Sequence, residues 1–282
     1  MELAAATAPL VVPPAAAPAY PTLGESWGIL GWYLLVTLVV GGAFYAVLST
    51  ATAVPKHLLV LGSTVVANFA LLFFLRWKAG ARWQPWQLGG QAPWWLYAAL
   101  PVVVVASIVV LSLLSYLHLP NSTSKLFEGV SRTPAVAVVL GGVAAPVLEE
   151  LLFRGVVLNG LLARYRPWVA IGQSALLFGV FHLNPAQSVS AGLLGLLVGW
   201  LYYRTRSLAV CIGLHALNNT LAFVAMRYAP AAWQKDSLAE GFGSNGAYAG
   251  AVLAAVVVLA ALLWAVQRAT APPALVPAPE AA

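Results

Sequence analysis

The chain has 282 residues, of which 61% are hydrophobic and only 8% are charged. Soluble domains carry roughly 25% charged residues, so this composition excludes an ordinary soluble protein and predicts an integral membrane protein. The formal net charge of +6 comes mainly from short loops, where basic residues set membrane topology and contact anionic lipid headgroups. We therefore expect the lipid bilayer as a partner of the chain and no nucleic acid.

Eight apolar helices between two tails are the predicted elements. Residues 1–26 and 268–282 are rich in alanine and proline, a composition that predicts disordered tails. A membrane-spanning helix needs about 20 mostly apolar residues, and the runs of that kind predict an all-α, polytopic membrane bundle. In chain order the predicted spans are 27–48, 57–75, 94–117, 134–165, 167–183, 186–203, 207–226 and 247–266.

Basic residues near the ends of these spans predict the orientation. One side of the membrane would hold Arg76, Lys78, Arg82, Arg164, Arg166, Arg204, Arg206 and Arg268. The opposite side would hold Lys56, Lys125, Arg132, Arg227 and Lys235. Loops with more Lys and Arg stay in the cytoplasm, so we predict a multi-pass protein of the bacterial inner membrane with both termini cytoplasmic.

The fourth predicted span carries two adjacent glutamates, Glu149 and Glu150, in an apolar stretch. An acidic side chain at the centre of a membrane helix costs roughly 2.5–3.5 kcal/mol on insertion scales, so we expect a functional reason for the pair. Glu150 and Arg154 have the i,i+4 spacing at which opposite charges meet, which predicts an ion pair that supports the site. Adjacent helical residues point in different directions, so we expect Glu149 to face elsewhere. Pro146 lacks an amide donor and predicts a kink near Gly142.

Two histidines lie in the later spans, and spans four to seven hold nearly all of the intramembrane polar groups. His182 lies at the end of the fifth span. His215 and Asn219 lie four residues apart in the seventh span and therefore share one helix face. Asn218 lies off that face, and we expect it to bond a neighbouring helix.

These side chains fit the activation of a water molecule. A carboxylate held away from bulk water becomes a stronger base, which suits Glu149, and His182 can share the water and the transferred proton. His215 and Asn219 can donate hydrogen bonds to the oxyanion of a tetrahedral intermediate. Removing one such donor typically costs about 2.7–4 kcal/mol of barrier. The four residues are predicted to hydrolyse a peptide bond without a covalent intermediate.

Other readings of these residues stay open at this point. A buried ion pair that only fixes helix packing explains one glutamate but not two. Cys211, the single cysteine, lies four residues before His215 and could act as a thiolate nucleophile, but this leaves both glutamates unexplained. Glu149, His182 and His215 could bind zinc, although the chain has no His-Glu-x-x-His sequence. We expect no cofactor and no metal, with zinc as the alternative.

Three motifs on successive predicted helices resemble those of a known family. They are Glu149-Glu150-Leu151-Leu152-Phe153-Arg154, Phe178 to His182, and His215 to Asn219. In this order they resemble the Glu-Glu-x-x-x-Arg, Phe-x-x-x-His and His-x-x-x-Asn motifs of the CPBP family of intramembrane proteases. That family, also called Abi, contains CAAX proteases and bacteriocin-processing enzymes, and its eukaryotic member is the type II CAAX prenyl protease.

The resemblance implies an eight-helix intramembrane glutamate protease, although family members are often labelled metalloproteases. Glu149 and His182 would be its catalytic pair. His215 and Asn219 would form the oxyanion site, while Glu150 and Arg154 would support the fold. Residues 134–226 would be the catalytic helices, preceded by N-terminal transmembrane helices over 27–133 and followed by a loop and the last helix over 227–267.

The predicted function is an intramembrane endopeptidase that cleaves a membrane-associated peptide or protein, such as a prenylated CAAX-type or bacteriocin-like substrate. A proton-coupled membrane transporter is one alternative, because intramembrane acids and histidines also build proton relays. The sequence shows no internal repeat of the kind many carriers have. A non-catalytic immunity or binding protein of the same fold is the other alternative.

Overall fold

The computed structural model describes residues 18–230 and 238–271, and the regular secondary structure within these two ranges is helical. The predicted all-α bundle is therefore confirmed for this part of the chain. The two predicted tails fall mostly on residues 1–17 and 272–282, outside the described residues. In chain order the helices are α1 (Leu23–Ala51), α2 (Lys56–Arg82), α3 (Trp94–Leu117), α4 (Ser124–Ser131), α5 (Pro134–Leu162), α6 (Pro167–Phe181), α7 (Pro185–Thr205), α8 (Leu208–Tyr228), α9 (Leu238–Gly241) and α10 (Asn245–Ala269).

Each of the eight predicted spans coincides with one long helix. Among the described residues, six helices are long and apolar enough to cross a membrane, namely α1, α2, α3, α5, α8 and α10. The remaining two are α6, with 15 residues, and α7, with 21. The chain is thus an integral membrane protein with several spans, and the crossing of the membrane by α6 and α7 stays a prediction.

Local capping and turn residues explain where two helices depart from their predicted ends. α1 begins before predicted residue 27 because the Thr22 and Glu25 side chains each accept the other residue's backbone amide. This capping box satisfies amides that a helix start otherwise leaves free. α6 ends at Phe181, two residues before the predicted end, because Leu183 adopts a left-handed conformation with φ 51°. A left-handed residue stops the helix, and Pro185 then starts α7.

The buried core lies between α3, α5, α6, α7 and α8. The second half of α5 is at its centre, where Leu152, Phe153, Val157 and Leu158 are almost fully buried. α1 and α10 lie at the outside and bury only 6% and 11% of their most apolar windows. Apolar side chains that face lipid are not in contact with water, so burying them inside the protein brings no hydrophobic gain. Outer helices with few buried residues are therefore typical of a membrane bundle.

Two glycines allow α5 and α8 to approach closely. A Cβ atom added at Gly141 would lie 2.5 Å from the Phe223 ring, and one added at Gly142 would lie 2.6 Å from the Thr220 hydroxyl oxygen. Small residues at such crossings are typical of membrane helix pairs, which associate mainly by van der Waals packing. The close approach brings the glutamate-bearing segment of α5 beside the polar residues of α8.

Candidate active site

α5 changes its winding on both sides of the glutamate pair. Ala137–Ala144 and Leu151–Leu158 are π-helical, and Ala145–Glu150 between them is α-helical. Wider turns of this kind within an α-helix frequently occur at functional sites. Gly142 thus lies in a π-helical turn that ends just before Pro146, and the predicted kink itself stays a prediction.

Pro146 leaves a backbone carbonyl free for α8. In a π-turn each carbonyl accepts from the amide five residues later, and the residue five after Gly141 is Pro146, which has no N–H. The side-chain amide of Asn219 donates to the Gly141 carbonyl instead, at 3.3 Å.

Asn219 Oδ1 accepts a hydrogen bond from the Asn218 amide at 3.2 Å. The expectation that Asn218 bonds a neighbouring helix is therefore wrong, because the adjacent Asn219 amide lies within its reach.

The predicted ion pair between Glu150 and Arg154 is present and buried. Arg154 Nη1 donates to Glu150 Oε1 at 2.9 Å, and both side chains are 1% exposed. Arg154 Nη2 donates to the carbonyl of Gly195 in α7 at 3.1 Å. The guanidinium also lies over the Phe178 ring of α6, 4.8 Å from its centroid, a cation–π contact. One arginine thus joins α5 to α6 and α7.

His215 lies between the two glutamates. Its Nδ1 atom is 2.8 Å from Glu150 Oε1, and its Nε2 atom is 3.8 Å from Glu149 Oε2. The two carboxylates face different places, as expected, because each lies nearest to a different nitrogen of the ring. A single imidazole therefore reaches both.

The two carboxylates nevertheless have different surroundings. The Glu150 side chain is 1% exposed and accepts hydrogen bonds from Arg154 and His215 through the same oxygen. The Glu149 side chain is 16% exposed and has no hydrogen-bond partner among the described residues. The environment therefore separates the pair into a bound carboxylate and a free one that lines a cavity.

His182 follows the last residue of α6 and is held by the backbone of that helix. Its Nδ1 atom lies 2.8 Å from the Phe178 carbonyl oxygen. A carbonyl oxygen only accepts hydrogen bonds, so Nδ1 carries the proton and Nε2 carries the lone pair in the neutral ring. The Phe178 ring meets both His182 and His215 edge to face, with centroids 5.1 and 5.5 Å away. One aromatic side chain therefore positions both histidines.

Two cavities meet at the predicted catalytic residues. The Glu149 cavity has a volume of about 300 Å³. A second cavity, of about 260 Å³, is lined by His215 and will be called the His215 cavity. His182 and Asn219 line both. All four predicted catalytic residues are therefore brought together, although Glu149 and His182 share a cavity wall and make no direct hydrogen bond.

Two carboxamides in this region were missed from the sequence. Gln187 at the start of α7 lines both cavities, and its Oε1 accepts hydrogen bonds from Asn184 and Thr123 at 2.9 Å. Asn68 of α2 lines the Glu149 cavity, so the early spans also contribute a polar group. The signal for Asn68 was an amide within an otherwise apolar run, which is uncommon in a membrane helix. Gln187 had no comparable signal, because it follows a proline at a helix start.

Cys211 is not part of this site. It is fully buried, its thiol donates to the Ser207 carbonyl oxygen at 3.3 Å, and it lines neither cavity.

Within residues 18–230 and 238–271, no group of three His, Cys, Asp or Glu side chains could hold a metal ion. The zinc set of Glu149, His182 and His215 is therefore not assembled in this structure.

Comparison with known proteins connects this site to a family. Residues 131–221 match the family model described as "Type II CAAX prenyl endopeptidase Rce1-like". The matched segment contains all three motifs, from Glu149 to Asn219. The resemblance to CAAX-type proteases is confirmed. It covers the helices that form the glutamate-histidine site.

A curated relative matches over a similar length. The chain is 23% identical over 104 residues to the Bacillus subtilis (strain 168) protein named "Putative membrane peptidase YdiL". These residues are 37% of this chain and 42% of the relative, so the match spans less than half of that protein. No solved structure matches the chain.

Proposed function

We propose that the chain is an intramembrane endopeptidase of the glutamate type, in which Glu149 activates water for attack on a peptide bond. The position of Glu149 carries this proposal. Its carboxylate is free of hydrogen bonds among the described residues and lines a cavity together with His182 and Asn219. It also lies 3.8 Å from a nitrogen of His215. A free carboxylate beside two histidines and an amide is a set of groups suited to general-base hydrolysis.

The reaction starts with proton transfer from water to Glu149. The water oxygen forms a bond to the carbonyl carbon of the substrate, and the π electron pair moves to the carbonyl oxygen. When the tetrahedral intermediate collapses, the C–N bond breaks and the leaving nitrogen takes the proton from Glu149. The site then returns to its starting protonation state, and no covalent intermediate forms.

His182 holds the attacking water in this scheme. Because its Nδ1–H donates to the Phe178 carbonyl, the lone pair on Nε2 is free to accept a hydrogen bond from the water. A water held by both Glu149 and His182 is fixed in position before attack, which lowers the entropic part of the barrier.

His215 and Asn219 stabilise the developing oxyanion. His215 Nδ1 donates to Glu150, so Nε2 can donate only when the ring carries both protons. One amide hydrogen of Asn219 is used on Gly141, and the other has no acceptor among the described residues. The two donors would then act on the same oxygen.

The position of the site and the description of the matched family support a substrate class. A site among membrane helices suits a membrane-associated peptide or protein, including a prenylated CAAX-type or a bacteriocin-like chain. We also propose that the protein lies in the bacterial inner membrane with both termini in the cytoplasm; the distribution of Lys and Arg is the argument for this orientation. We propose no metal cofactor, so that metal chelators leave the activity unchanged.

Membrane proteomes of cells that carry wild type, Glu149→Gln or His182→Ala protein test the proposal. We expect cleavage fragments to be present only with wild type, while both variants insert and purify with an unchanged melting temperature. Fragments that persist in either variant would overturn the assignment. Reconstituted vesicles give the contrast with a transporter, because ion flux without proteolysis would favour a proton-coupled carrier.

A further inference from the structure

Asn68 stands on the face of α2 that lines the Glu149 cavity. Leu61, Thr64 and Asn68 follow one another at spacings of three and four residues, so they share one helix face, and all three line the cavity. α2 also packs against the Ala145–Glu150 segment of α5. The wall contributed by α2 therefore faces the same space as the free carboxylate of Glu149.

The carboxamide of Asn68 is buried and has no partner. Asn68 is 3% exposed, and among the described residues neither its Oδ1 nor its Nδ2 atom has a hydrogen-bond partner. A buried polar group without a partner costs about 1–3 kcal/mol. Such groups are rare in native proteins, and each one needs an explanation. Thr64, one turn earlier, differs because its hydroxyl donates to the Val60 carbonyl at 3.1 Å.

We propose that Asn68 binds the main chain of the substrate, through two hydrogen bonds to the N–H and the C=O of one residue, which lie on the same side of an extended chain. A carboxamide has one acceptor and two donors, which match the N–H and C=O of an extended peptide. The proposal rests on the proposed function, because it assumes that the occupant of the Glu149 cavity is a peptide. It makes Asn68 a substrate-positioning residue that takes no part in the proton transfers.

A neutral amide is also the side chain expected to bind a substrate main chain beside Glu149. An acidic or basic side chain on α2 would change the charge balance around Glu149, Glu150 and Arg154, whereas Asn68 adds none. Hydrogen bonds to the N–H and C=O of a residue are independent of its side chain, so Asn68 would fix the register of the chain without selecting its sequence.

The test uses a farnesylated, internally quenched CAAX peptide and a set of copies in which one amide at a time is N-methylated. For Asn68→Leu we expect kcat/KM to fall about 10-fold, the value of two neutral hydrogen bonds, mostly through KM. One N-methylated copy, which loses one of the two bonds, should be cleaved about 3-fold more slowly than the parent peptide by wild type and at an unchanged rate by Asn68→Leu. The matched control is Ser63→Ala, which removes a hydroxyl already bonded within α2 at a residue that lines neither cavity and should change kcat/KM less than about 2-fold.

Thermal unfolding separates this role from a structural one. Replacing an unpartnered buried amide by an apolar side chain of similar size should leave the melting temperature unchanged or raise it. A lowered melting temperature together with an unchanged KM, or an equal response of wild type and Asn68→Leu to every N-methylated copy, would overturn the proposal.

A separate measurement, peptide binding, distinguishes a failure of the proposed protease activity from a failure of the proposed role of Asn68. If wild type shows no Glu149-dependent cleavage of the peptide, the proposed protease activity fails on this probe, and binding then decides the role of Asn68. Fluorescence anisotropy of the labelled peptide should show about 10-fold weaker binding to Glu149→Gln/Asn68→Leu than to Glu149→Gln. Equal binding by the two proteins, or none by either, would overturn the role of Asn68.

Discussion

The Oε1 atom of Glu150 lies 2.8 Å from the Nδ1 atom of His215, between residues that are 65 positions apart in the chain. Glu150 is therefore the residue that orients His215, in addition to neutralising Arg154. This contact fixes which nitrogen of His215 faces Glu149. Glu150 therefore has a structural role and a role in the site, because a change at this residue alters both its ion pair with Arg154 and the orientation of His215.

Glu150→Gln should therefore destabilise the protein, whereas Glu149→Gln should not. Removing one charged partner of a buried pair leaves the other charge uncompensated and typically costs about 3–5 kcal/mol. We expect a lower melting temperature in detergent and a reduced yield for Glu150→Gln, together with lost activity. Normal stability with no turnover in this variant would show that the roles of the two glutamates are reversed.

Glu128→Gln is the matched control for that experiment. Glu128 and Arg132 also form an i,i+4 pair, at 2.7 Å, but their side chains are 65% and 73% exposed. Exposed helical pairs contribute roughly 0.3–0.5 kcal/mol, so this variant should melt close to wild type. The comparison isolates the effect of burial, because the chemical change and the sequence spacing are the same.

Pro146→Ala should separate stability from activity. The alanine supplies an N–H to the free carbonyls of α5, which can raise the free energy of unfolding by up to about 3 kcal/mol. Asn219 then competes for the Gly141 carbonyl, so its amide is held less firmly and kcat should fall about 10-fold. Steady-state kinetics and thermal unfolding on the same preparation measure the two effects.

Pro101→Ala controls for the general effect of removing a helical proline. Pro101 lies within α3 on an exposed face and lines neither cavity. This variant should gain stability without any change in kcat. An equal loss of kcat in both proline variants would contradict a specific role of Pro146.

Local patterns explain why much of this architecture could be predicted. Long apolar runs predict helices whatever their neighbours are, and the i,i+4 spacing of Glu150 and Arg154 brings them together within one helix. The contact between Glu150 and His215 depends on how α5 and α8 pack, and no local pattern encodes that distance. Asn68 was missed for the same reason, since only the packing of α2 against α5 brings it to the cavity.

Gly142→Ala should push α5 and α8 apart. The new Cβ atom would lie 2.6 Å from the Thr220 hydroxyl oxygen, and overpacking of this kind typically costs about 1–3 kcal/mol. The hydrogen bond from Asn219 to Gly141 spans the same crossing, so activity should fall with stability. Removing the obstructing hydroxyl in the double variant Gly142→Ala/Thr220→Ala should restore most of both.

Gly172→Ala is the control for this substitution. An added Cβ atom at Gly172 of α6 meets no atom within 4 Å, so alanine should stabilise the helix by about 0.5–1 kcal/mol. Activity should stay at the wild-type level. A double variant at Gly142 and Thr220 that remains inactive would contradict the steric explanation.

The cysteine alternative gives the last prediction. Cys211 is fully buried and its thiol is bonded to the backbone of its own helix, whereas a reactive thiol needs access and a neighbour that stabilises the thiolate. Cys211→Ala should therefore keep kcat within about 2-fold of wild type. Iodoacetamide should neither inhibit nor label the folded protein, as activity assays and intact-mass measurement would show. Inhibition of wild type that is absent in Cys211→Ala would instead make the thiol, and not Glu149, the group that attacks the substrate.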